Sequence, residues 1–152
     1  MTPEDRLAEL GIALPEPPAP AAAYVPWVRS GDLVFTAGQL PLQDGRLLAT
    51  GLVGRALGVP EAQRCARACA VNILAQVRAA VGDLSAVGRI VKLTVFVASA
   101  PGFSEQHLVA NGASDLLGEV FGEDGRHARS AVGVAALPLD APVEVDAVVE
   151  VA

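Results

Sequence analysis

The chain has 152 residues, 11 of them basic and 17 acidic, for a formal net charge of −6. A nucleic-acid partner needs an electropositive surface that releases counterions, and no run of Lys or Arg supplies one. Apolar residues make up 52% against 18% charged, which gives a full core without disulfides or metals and leaves apolar surface to be buried between subunits.

The N-terminus, M-T-P-E-D-R-L, is acidic and lacks the apolar region of a signal peptide. No apolar run approaches the ~18 residues of a membrane span. A soluble, cytoplasmic protein is expected, with no membrane partner. Thr2 as N-cap and Pro3 behind it open one or two helical turns over residues 2–10. The prolines of Ala13–Pro26 then impose an extended, polyproline-like path, and Tyr24 and Trp27 at its end suggest that it docks. We treat the chain as one domain, 1–152, with residues 1–23 as a Pro-rich extension.

Trp27–Arg29, Ser30-Gly31-Asp32 and Leu33–Ala37 read as strand, turn, strand. Gly38-Gln39 follows at once, a sign of a bulge or of close approach to the backbone. Gln43-Asp44-Gly45-Arg46 is a further turn, with a short strand after it. From Pro60 to Val81, apolar residues recur at helical spacing and Gly82 stops the run. Gly88–Ala98 is a strand rich in β-branched residues. A second helix runs from Ser104 or Val109 to Phe121. His127 to the C-terminus reads as two apolar strands forming a hairpin. The order is β-β-(β)-α-β-α-β-β, an α+β chain with one mixed sheet and two helices on one face. Association with other copies would cover the second face.

Cys65 and Cys69 lie on the apolar stripe of the first long helix and read as core residues rather than metal ligands. His107 and His127 have no metal-binding spacing, and no G-x-S-x-G, G-x-G-x-x-G or Walker A pattern is present. No cofactor or metal is expected. The final strands remain. Alternation groups Arg129 with the small residues Ala131, Gly133 and Ala135, and leaves Val132 and Val134 to pack under the helices. It places Glu144 with Asp146 and Glu150. This arrangement puts Arg129 and Glu144 together on the face away from the helices. There they form a salt bridge, lie on a solvated face, or act as a carboxylate clamp and a base on water.

Three blocks carry a family resemblance: Tyr24 with V-x-x-x-G-D-L-V-F-T-A-G-Q-L-P, R-I-V-K-L-T-V-F-V within Gly88–Val97, and A-R-S-A-V-G-V-A-A-L-P followed by V-E-V-D-A-V. The chain resembles the reactive intermediate deaminase (Rid, YjgF-like) family, also known by an endoribonuclease name. The resemblance implies a chorismate-mutase-like fold and a homotrimeric, barrel-like assembly with clefts between subunits. It implies hydrolysis of enamine/imine intermediates such as 2-aminoacrylate to 2-keto acids and ammonia. By the same resemblance Arg129 holds the substrate carboxylate, the Gly38 N–H assists, Glu144 positions water, and Tyr24, Asn111 and the Ala131 carbonyl line the cleft. Two departures stand out: Ala37 replaces the serine of the family's S-G-Q, and Ala131 replaces a frequent cysteine. They favour an alternative, a non-catalytic trimer that binds small keto acids.

Overall fold

The computed structural model describes residues 1–152. Helix α1 (Pro3–Glu9) starts on a reciprocal cap, in which the Asp5 N–H donates to Thr2 Oγ1 and the Thr2 N–H to the Asp5 carboxylate. Strands β1 (Trp27–Ser30) and β2 (Leu33–Thr36) form an antiparallel pair, and β3 (Leu42–Gln43) and β4 (Arg46–Leu47) make a separate two-stranded ribbon. Then come α2 (Val59–Val81), β5 (Val87–Ala98), α3 (Gln106–Phe121), β6 (Ala128–Val134) and β7 (Val143–Val151).

The main sheet has the order β1-β2-β7-β5-β6. Only β5 and β6 are parallel, because α3 carries the chain back between them. The sheet is mixed, as the element pattern implies, but the last two strands are not a hairpin. β5 lies between β6 and β7 and pairs with both. The turn residues after Val134 point to a hairpin, yet the 12-residue β5 takes both strands, one on each of its edges.

Helices α2 and α3 cover one face. Cys65, Cys69, Ile73, Leu74 and Val77 of α2, with Val109, Leu116, Leu117 and Val120 of α3, pack on Leu93, Val95, Val97, Val143, Val145 and Val149 in one hydrophobic cluster of 28 buried residues. Both cysteines are core side chains, and burial raises the Cys65 thiol to about 11 and holds the Cys69 thiol well above its ordinary range. No helix is long and apolar enough to cross a membrane.

The N-terminal extension folds back on this layer. Glu4 Oε1 accepts from the Leu84 N–H at 3.0 Å, and Arg6 Nη1 donates to the Val120 carbonyl at 3.2 Å. The Pro-rich segment stays non-helical and crosses α2, where the buried Gln76 amide donates to the Pro18 carbonyl at 2.8 Å. The segment is therefore docked through a backbone carbonyl, while Tyr24 at its aromatic end stays 48% exposed.

Glycine shows how closely the two long helices approach. A Cβ on Gly112 would collide with the Gln63 backbone, whereas one on Gly118, on the same helix, would meet nothing. Substitution at both should therefore give opposite signs in urea denaturation. Gly118→Ala is expected to stabilise by about 1 kcal/mol from helix propensity. Gly112→Ala gains the same propensity but is expected to lose about 1–3 kcal/mol net, because rigid backbone cannot move aside.

Candidate functional site

The segment after β2 rejoins the sheet through a bridge between Gln39 and Val145, with the Gln39 N–H donating to the Val145 carbonyl at 2.7 Å and the Val145 N–H returning at 3.0 Å. This places Gly38 directly against the Glu144 carboxylate. A Cβ on Gly38 would overlap that side chain, so the close approach anticipated from Gly38-Gln39 is real. The Gly38 N–H makes no hydrogen bond within the chain, while the neighbouring Ala37 N–H donates to Pro26. Gly38 and Tyr24 line one small cavity of about 60 Å³, walled by Pro18–Ala21 of the extension and by Leu139. Glu144 is half-buried. Burial, and then the nearby Asp146, raise its carboxyl above the usual range. Burial raises Asp146 too, opposed by the Thr94 hydroxyl and by Lys92.

Arg129 lies elsewhere, against α3. Its Nη1 donates to Asn111 Oδ1 at 2.9 Å and to Ser114 Oγ at 3.1 Å, and its Nη2 donates to the His107 carbonyl at 3.1 Å. Positions 107, 111 and 114 form one stripe on the helix. All three acceptors are neutral, and neither of the chain's salt bridges involves Arg129. Of the five guanidinium donors, Nε–H and one Nη2–H remain unengaged. Two spare donors on one guanidinium are enough to hold a carboxylate. The family resemblance implied Asn111, which accepts from Arg129 here. It missed Ser114 and His127, which meet each other at 2.9 Å beside Arg129.

Arg129 lies on the helix-covered face, not on the open face that alternation predicts. In the ladder, Arg129 pairs with Leu93, which pairs with Ala147, and all three belong to the helix-covered side. Ala131 follows in the row of Val95 and Val145, packed against the core. At Gly133 the neighbours are side chains: a Cβ there would come within 2.8 Å of Gln106 Nε2 and 3.1 Å of Ser99 Oγ. Val132, expected under the helices, is instead 42% exposed on the open face with Val28 and Phe35. Glu144 shares its row with Phe96 and Val132 on that open face. Arg129 and Glu144 thus lie on opposite faces, two strands apart. Across the sheet that is roughly 10 Å, with roughly 10 Å more along the strand. They form no salt bridge, and one subunit does not bring them into one cleft.

Residues 4–151 match the family model described as "YjgF/chorismate_mutase-like, putative endoribonuclease". The chain is 57% identical over 145 residues to Protein TCP17 of Trypanosoma cruzi, covering 95% of this chain and 91% of that protein. The crystal structure of Atu1372 from Agrobacterium tumefaciens, a protein of unknown function, is 58% identical with a TM-score of 0.92, over 99% of this chain and 92% of that one. The structure of E. coli TdcF with bound serine is 29% identical with a TM-score of 0.64, over 90% of this chain and 94% of that one.

The two carboxyls on the open face give a direct check of the site's electrostatics. Glu144 should titrate above ordinary glutamates in a carbon-detected NMR titration, and Asp146→Asn should lower it by removing the like charge. A carboxyl raised in the folded state favours folding while protonated, and that contribution is lost as pH rises through the raised value. Glu144→Gln should therefore unfold at a higher temperature than the wild type at neutral pH.

Proposed function

The chain belongs to the YjgF/chorismate mutase-like family, and on that premise we propose that it hydrolyses small enamine/imine intermediates carrying a carboxylate, of the 2-aminoacrylate type, to 2-keto acids and ammonia. The observation that carries the reading is Arg129: a cation held by three neutral acceptors, with two donors left over and no carboxylate of its own. Such a group is built to receive an anion. The serine bound in the E. coli relative has a carboxylate of the same kind.

In the proposed reaction the substrate carboxylate lies on Arg129, which fixes the plane of the adjacent protonated C=N. Glu144 takes a proton from water as the water oxygen bonds to the imine carbon. The same carboxyl then returns that proton to the nitrogen of the tetrahedral carbinolamine. Ammonia leaves as the C–N bond breaks, the carbonyl forms, and the hydroxyl proton passes to the carboxylate and then to solvent. Burial and the neighbouring Asp146 raise the Glu144 carboxyl, which favours a group that must both accept and give a proton. The unengaged Gly38 N–H, beside that carboxylate, is a donor for the developing oxygen charge.

Because Arg129 and Glu144 lie on opposite faces of the sheet, the reading requires two subunits for each cleft. The edge strand carrying Arg129 would meet the Tyr24–Gly38–Glu144 face of a neighbour, in a homotrimer that covers Val28, Phe35 and Val132. A second reading, a trimer that binds keto acids without turnover, is favoured by Ala37 and Ala131, which lack the hydroxyl and thiol frequent in the family.

The test is ammonia release from an imine generated in situ by an amino-acid oxidase. Glu144→Ala should lower kcat about 10²–10⁴-fold; equal rates for the variant and the wild type would reject the hydrolase reading and leave the binding trimer. Light scattering should return about three times the 15.5 kDa subunit mass. Mixing Arg129→Ala with Glu144→Ala after mild dissociation should then restore about a quarter of the sites by random assortment. No recovery of activity in the mixed trimer would place both residues in one subunit's cleft.

A further inference from the structure

We infer that Ser114 and His127 are positioning residues for Arg129, joined to it by a hydrogen-bond chain that runs in one direction. The inference rests on the clamp reading of Arg129.

The direction follows from donor and acceptor chemistry. His127 Nδ1 lies 2.7 Å from the Gly125 carbonyl, which can only accept. Nδ1 therefore carries the proton, and in the neutral ring Nε2 offers a lone pair. Ser114 Oγ is 2.9 Å from that Nε2, so the serine hydroxyl donates to it. A hydroxyl has one proton; once that proton is committed to His127, the Ser114 oxygen faces Arg129 as an acceptor, 3.1 Å from Nη1. The order is Arg129 to Ser114 to His127 to Gly125. Each atom has one role, and the serine cannot rotate to compete as a donor.

The far end of the chain is anchored to the same helix as its middle. A Cβ on Gly125 would collide with the Leu117 carbonyl, so this turn is pressed onto α3 without a side chain between them. The carbonyl that sets the His127 tautomer is therefore fixed relative to Ser114. Asn111 takes the other Nη1 hydrogen at 2.9 Å. With both Nη1 donors engaged, the guanidinium cannot swing about its own axis, and its unengaged Nε and Nη2 donors keep one heading. The cluster opens to solvent through a cavity of about 280 Å³ lined by Ser114, Gly118, Gly125, Arg126, His127 and Arg129.

The experiment measures binding of 2-oxobutyrate and of its methyl ester by calorimetry, with kcat and KM alongside. Losing a hydrogen bond to a charged group is worth a factor of about 10. Ser114→Ala and His127→Phe should each weaken the acid by about that factor, raise KM more than they lower kcat, and leave the ester unchanged. Ser114→Thr, which keeps the hydroxyl, should restore acid binding. In the wild type, nitrogen NMR should find His127 protonated on Nδ1, with the Nε2 shift moving in Ser114→Ala. Acid affinity unchanged in both variants, while Arg129→Ala loses it, would overturn the inference and leave the clamp standing. Unchanged affinity in Arg129→Ala would overturn the clamp and the inference with it. A wild-type Nε2–H tautomer would overturn the directional chain even if the variants failed to fold.

Discussion

The pairing of β6 on β5 governs the chemistry of this chain. The two strands run parallel, with Arg129 opposite Leu93. Because a strand's side chains alternate, that one register decides the face of every residue on β6. Arg129 is sent to the helices, and Ser130 and Val132 to the open side. Slipping the ladder by one residue would put Arg129 on the open face with Glu144 and Asp146 and bury Val132, but it would also drive the Ser130 hydroxyl into the apolar layer under α3. The tight contact at Gly133 and the stripe of acceptors on α3 both hold the observed register.

Two kinds of electrostatic environment result. On the helix side a cation is satisfied by dipoles alone, without an opposing charge, so its field remains available to a ligand. On the open side Glu144 and Asp146 are partly desolvated and close to one another, and their protonated forms gain. Neither environment is a stability device. An apolar core of 28 residues carries the fold, and the polar groups are held to geometry by that core.

Much of this was legible in the sequence. The 3.6-residue spacing of Ala62, Cys65, Ala66, Cys69, Ile73 and Val77 located α2 to within a residue, and the β-branched run at 88–98 located the central strand, again to within a residue. Gly38 signalled a close approach and makes one. Face assignment on β6 failed because bulk was taken as the mark of the core. At the sheet's edge the reverse holds: the small Ala131 packs toward the core and the bulkier Val132 faces out. The Ser114–His127 link left no periodic trace, since residues 13 apart are joined only when the turn after α3 folds back on the helix. A histidine two positions before Arg129 was the only hint, and alternation alone puts both on one side of the strand.

Burial of the two thiols has a practical side. Raised to about 11 at Cys65 and well above the ordinary range at Cys69, they hold almost no thiolate at neutral pH, and thiolate is the form that maleimides and disulfides capture. The native chain is therefore close to silent toward thiol reagents. A single cysteine placed in the Pro-rich strap, at exposed Ala21 beside the Gly38 cavity, would carry a fluorophore or spin label without first removing Cys65 and Cys69. The core supplies its own background subtraction, and the movements of the strap over the cavity become directly observable.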